Sequence, residues 1–193
     1  PDVSQLTSYD LPATDPSFAP YLGAETLLEV DDPAILEAVN GVLSDMTDAE
    51  EAARRLNDWV FAEIEKTPVV SPPSALHVLE TRRGDCNEHT ALFTAMARAA
   101  GLPTRVAAGI VYIEALFSKG SFYYHAWPEV WLGEWIPVDP TFEQFPADAT
   151  HIKFVNGGLH HQAEPIGALR ALSAEAVAVR GPSWREPQSA AGT

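Results

Sequence analysis

Between Asp32 and Ala100 the apolar residues recur at helical spacing, and between Thr104 and Asp139 they recur at the spacing of strands. Asp32-Pro33 reads as an N-cap with proline at the first helical position, and Ile35, Leu36, Val39, Val42 and Leu43 follow on one stripe. Thr47-Asp48-Ala49-Glu50 has the form of a capping box. Ala53, Leu56, Val60 and Ile64 then share a face until Pro68 ends the run. A short helical piece is expected over Ala75 to Glu80. After the break at Arg82-Arg83-Gly84-Asp85, a third long helix runs from about Cys86 to Ala100, with Leu92, Ala95, Met96 and Ala99 as its buried stripe and Gly101 and Pro103 as its stop.

The period changes at Thr104. Arg105 to Ile113, Phe122 to Leu132 and Trp135 to Asp139 read as strands, the last two joined by a tight turn at Leu132-Gly133-Glu134. Helices first and strands afterwards predict an α+β domain with an antiparallel sheet. Beyond it, His151 to Val155 is expected as a further strand and Gly167 to Val179 as a helix or strand. Prolines 1, 12, 16 and 20, set among Ser, Thr and Asp, make residues 1–30 an extended lead-in arm. Residues 31–180 are read as one domain, and 181–193 as a flexible tail.

Composition narrows the function classes. The 193 residues carry 12 Lys and Arg against 27 Asp and Glu, a formal charge of −15, and the cations are scattered. Nucleic acid is therefore an unsuitable partner, because phosphate neutralisation needs a basic stripe. No run has the length and apolarity of a membrane span. The chain starts at Pro1, so we expect an excised domain or a processed product, with any export signal upstream of it. One cysteine excludes an internal disulfide and multi-thiolate metal sites, and leaves Cys86 as a small buried hydrophobe or a reactive group.

Gly84-Asp85 delivers Cys86 into the first turn of a helix, where backbone N–H groups and the helix dipole favour a thiolate and can also serve an oxyanion. Tyr123-Tyr124-His125-Ala126-Trp127 sets a histidine in an aromatic strand. Trp135-Ile136-Pro137-Val138-Asp139-Pro140 ends the next strand on an aspartate. Pairing through the Gly133 turn brings Asp139 opposite or near His125. Each residue alone has an ordinary explanation: a buried thiol, a hydrogen-bonded core histidine, a turn-forming aspartate. Together they supply a nucleophile, a base and a group to orient it.

Three segments also match a known family. Gly84-Asp85-Cys86-Asn87-Glu88-His89, Tyr124-His125-Ala126-Trp127-Pro128-Glu129-Val130, and Trp135-Ile136-Pro137-Val138-Asp139-Pro140-Thr141-Phe142 resemble, in order, the core motifs of the transglutaminase-like superfamily, of bacterial type. The resemblance is specific from about Glu80 to Ile152. It implies a papain-like α+β fold with the cysteine helix packed on the sheet, and a catalytic domain over residues 31–180. It also implies Cys86 as nucleophile, His125 as base and Asp139 as its orienter, with no cofactor and no metal.

The implied reaction is acyl transfer on a peptide or protein amide through a thioester. Hydrolysis is the favoured outcome, since nothing in the chain marks an amine site. The alternatives are a cross-linking transglutaminase, although no EF-hand loop is present, and a catalytically silent peptide-binding module. A zinc site of Cys86, His89, His125 and His160 or His161 is a weaker reading of overlapping residues. His89 is expected either to line the pocket or to support the strand layer. Trp59 is expected in the core more than as a second oxyanion donor. Aromatic residues from Phe117 to Phe142 are expected both in the core and along the cleft.

Overall fold

A computed structural model describes residues 6–69, 73–114 and 120–157. Its helices are α1 (Pro33–Leu43), α2 (Ala49–Glu63), α3 (Ala75–Thr81) and α4 (Cys86–Ala99). Its strands are β1 (Glu65–Lys66), β2 (Arg83–Gly84), β3 (Thr104–Ile113), β4 (Ser121–Trp131), β5 (Trp135–Pro137) and β6 (His151–Asn156). The last four form an antiparallel sheet in the order β5-β4-β3-β6. Helices before an antiparallel sheet make this an α+β fold, as the sequence predicts.

Helix α4 lies between the other helices and the sheet. Consequently Ala91, Leu92, Phe93, Ala95, Met96 and Ala97 are all buried, where the sequence pattern marks one stripe. The small residues Ala91, Ala95 and Ala97 let neighbours approach from several sides. Its far end is anchored by Arg98, which donates from Nε to the Thr104 carbonyl at 2.9 Å and from Nη1 to Gly23 O and Glu25 Oε1, both at 2.7 Å. Residues 6–30 lie against this body: Tyr9 Oη donates to Trp131 O at 3.0 Å, Leu28 is buried, and Pro16–Tyr21 winds into a 3₁₀ helix.

Several boundaries differ from expectation. Asp48, one residue after Thr47, caps α2 by accepting from Glu51 N, and its other oxygen takes the Ser8 hydroxyl at 2.6 Å. Ser8 comes from a distant segment and adds a tertiary contact to a cap that Glu51 N alone would form. Helix α2 ends at Glu63 and not at Pro68, because the chain turns extended at Ile64 to form β1. Strand β5 stops at Pro137, and Asp139 instead pairs with Gln144 in a tight reversal. The strand at His151 is present as expected. The Gly167 to Val179 element and the tail at 181–193 lie outside the described residues.

Two local devices orient the site. Strand β1 runs parallel to β2, with Thr67 N donating to Gly84 O at 2.9 Å, which clamps the chain just before α4. In the sheet, Gly109 of β3 pairs with His125 of β4 on one side and Lys153 of β6 on the other, beside a register shift between Ala108 and Gly109. A Cβ at Gly109 would lie 2.0 Å from Ile152 O, so only glycine allows β6 to come this close.

Candidate active site

Cys86 opens α4. Its N-cap, Asp85, accepts from Asn87 N at 3.1 Å, and Glu88 Oε2 reaches back to accept from Asp85 N at 2.9 Å, completing a capping box. A Cβ at Gly84 would sit 2.1 Å from Glu88 Cβ, so the glycine makes room for that box. His89 is fully buried. Its Nδ1–H donates to Asp85 O at 2.6 Å, and burial pushes its pKa down, which keeps the ring neutral. His89 is expected to line the pocket or to support the strand layer; its bond goes instead to the N-cap carbonyl, where it braces the helix start.

The helix start meets β4. Tyr124 Oη donates to Asn87 Oδ1 at 3.2 Å and Thr90 Oγ1 donates to Ala126 O at 3.0 Å, while the Ala126 backbone N–H lies near enough to the Cys86 sulfur to favour its thiolate. The nucleophile candidate is thereby held beside the residue that follows His125. His125 is buried, and its ring stacks with Phe142 at 5.0 Å and 21° and with Trp127 at 6.0 Å and 23°. Its Nε2 donates to Asp139 Oδ2 at 2.7 Å. Glu129, Val130 and Trp131 of β4 pair with Pro137, Ile136 and Trp135 of β5, so Asp139 reaches His125 diagonally from beyond the strand end.

Asp139 is wholly buried. Its Oδ1 accepts from Thr141 N at 2.7 Å and Phe142 N at 3.1 Å. Its Oδ2 accepts from His125 and also from His151 Nε2 at 3.0 Å. Burial opposes ionisation, but the two imidazoles outweigh it and hold the carboxyl well below the usual carboxylate range. His151 is the residue that sequence reasoning missed. The only available signal was a histidine at the start of a short strand after the Asp139 reversal.

The electrostatics of Cys86 differ from the expectation drawn from its helix position. The residue keeps part of its surface open. Packing around the sulfur pushes the thiol up to about 12; Asp85, Asp139 and Glu88 add to the rise, and the Ala126 N–H acts against it. Burial first, and the three carboxylates after it, act against a thiolate, so the sulfur needs a partner that takes its proton.

Glu88 is itself raised to about 7, first by burial and then by the Asp85 carboxylate. From its ordinary 4.5 up to about 7, the folded chain holds a proton that the unfolded chain has released. Its contribution to stability therefore falls as pH rises through that window. Glu88→Gln keeps an acceptor for Asp85 N–H and removes this decline. Urea midpoints should show the variant gaining on the parent between pH 5 and pH 7.5, and parallel midpoints would refute the assignment.

His125 Nε2, Asp139 Oδ2 and His151 Nε2 lie within 4.8 Å of one another, a donor set that a divalent cation could use. Both nitrogens stand 2.7 and 3.0 Å from one oxygen, which is hydrogen-bond spacing. Cys86 and His89 are not in this set, and His160 and His161 lie outside the described residues. Trp59 lies under the Arg82 guanidinium, 4.7 Å from its ring centroid, and lines a separate groove with Arg54, Arg55 and Asp58. Among the described residues no helix is long and apolar enough to cross a membrane.

Comparison with known proteins bears on the family and the fold. A protein-glutamine gamma-glutamyltransferase of Pseudomonas aeruginosa is 34% identical over 102 residues, covering 48% of this chain and 15% of that protein. A candidate cysteine protease from Cytophaga hutchinsonii superimposes with a TM-score of 0.62 at 18% identity, over 80% of this chain and 51% of that one. The periplasmic domain of TgpA from Pseudomonas aeruginosa superimposes with a TM-score of 0.50 at 23% identity, over 68% of this chain and 49% of that one. The chain thus spans about half of each solved relative and a smaller part of the curated one. The sequence profile of the transglutaminase-like superfamily matches residues 37–140, which run from α1 through the cysteine helix and the histidine strand to the Asp139 turn. With more than half of its residues under that profile and the papain-like fold in place, the chain belongs to the transglutaminase-like superfamily.

Proposed function

We propose that the chain is a thiol-dependent acyl-transfer enzyme that hydrolyses peptide or protein amides through Cys86, His125 and Asp139. The observation that carries this reading is the hydrogen bond from His125 Nε2 to Asp139 Oδ2, one residue before Ala126, whose N–H favours the Cys86 thiolate. With Nε2 committed to the carboxylate, Nδ1 is the imidazole nitrogen left for proton transfer.

In this reaction Nδ1 takes the Cys86 proton as the sulfur attacks the carbonyl carbon. The carbonyl oxygen becomes an oxyanion, for which the backbone N–H at Cys86 is one donor. His125 then returns the proton to the leaving amine as the C–N bond breaks, leaving a thioester. Water attacks the thioester, His125 takes its proton, and the thiolate leaves and is reprotonated. Asp139 orients the ring and balances its charge while it is cationic.

Amine transfer is the second reading, and the Pseudomonas aeruginosa relative favours it by the activity in its name. There a substrate amine replaces water and an isopeptide bond forms. The likeness to a periplasmic domain is compatible with export, should a signal lie upstream. A glutamine peptide incubated with the protein, with and without a primary amine, separates the two. Hydrolysis predicts ammonia release and a glutamate product unchanged by the amine. An amine-linked product as the main species would favour transfer, and neither product from this or other amide peptides would remove the enzymatic reading.

A further inference from the structure

We propose that His151 is a positioning residue of this site, whose Nε2–H, donated to the same Asp139 oxygen that accepts from His125, fixes the carboxylate and divides its charge between two rings. The inference rests on the acyl-transfer reading and adds a residue to it.

A carboxylate offers about four acceptor positions. Asp139 has four donors: two backbone N–H groups from its own reversal, His125 from β4, and His151 from β6. The carboxylate cannot rotate without breaking one of these bonds. His151 reaches it from the opposite edge of the sheet, across β3, at the level where Gly109 admits β6.

The His151 side chain is 4% exposed and packs edge-on against Trp127, with ring centroids 5.1 Å apart. Its Nδ1 stands 3.3 Å from Thr150 Oγ1 and 3.5 Å from Asp148 Oδ1, and the Thr150 backbone and hydroxyl both donate to that same Asp148 oxygen. The titratable neighbours are thus Asp139, Asp148 and His125. Glu129 and Lys153, which line a cavity of about 450 Å³ beside His151, are paired at 2.7 Å.

Packing against Trp127 alone would need only a ring of this size. The second Nε2–H on one oxygen does more, because it fills that oxygen's remaining lone pair and shares its negative charge, so neither imidazole takes the full carboxylate charge. His125 is then held in place without being locked to Asp139. A group that orients a catalytic or ligating histidine from behind is a recurrent device, and its loss typically costs ten- to a hundredfold.

The test uses three variants of the whole chain. His151→Phe keeps a ring and removes the donor, His151→Gln can place an N–H near the Nε2 position, and His151→Asn is too short to reach Asp139. On a glutamine peptide, followed by ammonia release, the Phe and Asn variants should lose about tenfold or more in kcat with KM unchanged. The Gln variant should recover most of that loss.

Proton NMR supplies a readout that needs no substrate. The low-field resonance of the His125 Nε2 proton should move in the Phe and Asn variants and return in the Gln variant. Equal kcat across the three variants, or a His125 resonance that stays in place in both Phe and Asn, would overturn the proposal. If the Phe variant does not fold, Gln and Asn decide by the same criteria. Turnover that survives Cys86→Ala would remove the acyl-transfer reading, while the resonance would still report whether His151 shares the Asp139 oxygen.

Discussion

Cys86→Ala is expected to abolish turnover, by about 10⁴-fold or more, while leaving the fold intact. The sulfur is the only thiol in the chain and is not part of the apolar core. Helix α4 is held elsewhere by its capping box, by buried residues along its length and by the Arg98 anchor. Replacing one sulfur on a partly exposed residue should cost no more than about 1 kcal/mol of stability. Turnover should thus vanish with the unfolding midpoint near its parent value. Cys86→Ser should behave alike, because the hydroxyl ionises far less readily at a position where carboxylates already oppose negative charge. A cysteine holding a structural metal would instead unfold the chain when removed, and a peptide-binding module would keep its affinity. The pair of measurements, turnover and midpoint, discriminates among all three.

The next largest effect is expected at His125. His125→Ala removes the group that takes the proton from Cys86, and turnover should fall by about 10³-fold or more. A second consequence follows from the direction in which the thiol is shifted. Burial and the carboxylates of Asp85, Asp139 and Glu88 all act against a thiolate, so without the imidazole the sulfur has nothing to ionise it but the Ala126 N–H. Its reaction with iodoacetamide should then fall about a hundredfold or more at pH 7.5 and rise only at strongly alkaline pH. The parent chain should alkylate readily at neutral pH through the imidazole. A His125→Ala chain that alkylates at the parent rate would mean that the helix start alone activates the sulfur, as the sequence first suggests. The fold should survive, since Asp139 keeps its bonds from Thr141, Phe142 and His151, although the space vacated between Phe142 and Trp127 should cost about 1–3 kcal/mol.

Much of this molecule could be read before its structure. The helix at Asp32-Pro33, the cysteine helix and the strands of the sheet follow from period and caps, because those signals are local. The nearness of His125 and Asp139 followed from one glycine turn. What escaped the sequence depends on chain segments far apart. Ser8 returns to brace the Asp48 cap of α2, and α4 is buried on nearly all sides because the sheet closes over it. His151 reaches Asp139 only because β6 returns to pair with β3. The rise in the Cys86 thiol could not be read from its helix position either, since it comes from how closely the sulfur is packed and from Asp139 across the site. Asp85 and Glu88 were in plain view, and their weight against the helix dipole emerges only with distance and burial.

The central claim is that Cys86 carries the acyl group, and trapping that group tests it most directly. The protein is mixed with a peptide ester or amide, quenched in acid within the first turnover, and weighed intact. The account predicts added mass equal to the acyl portion, mapped to Cys86, absent from Cys86→Ala and removed by hydroxylamine at neutral pH as a thioester is. Acyl mass on any other residue, or full turnover by the Cys86→Ala chain, would contradict it.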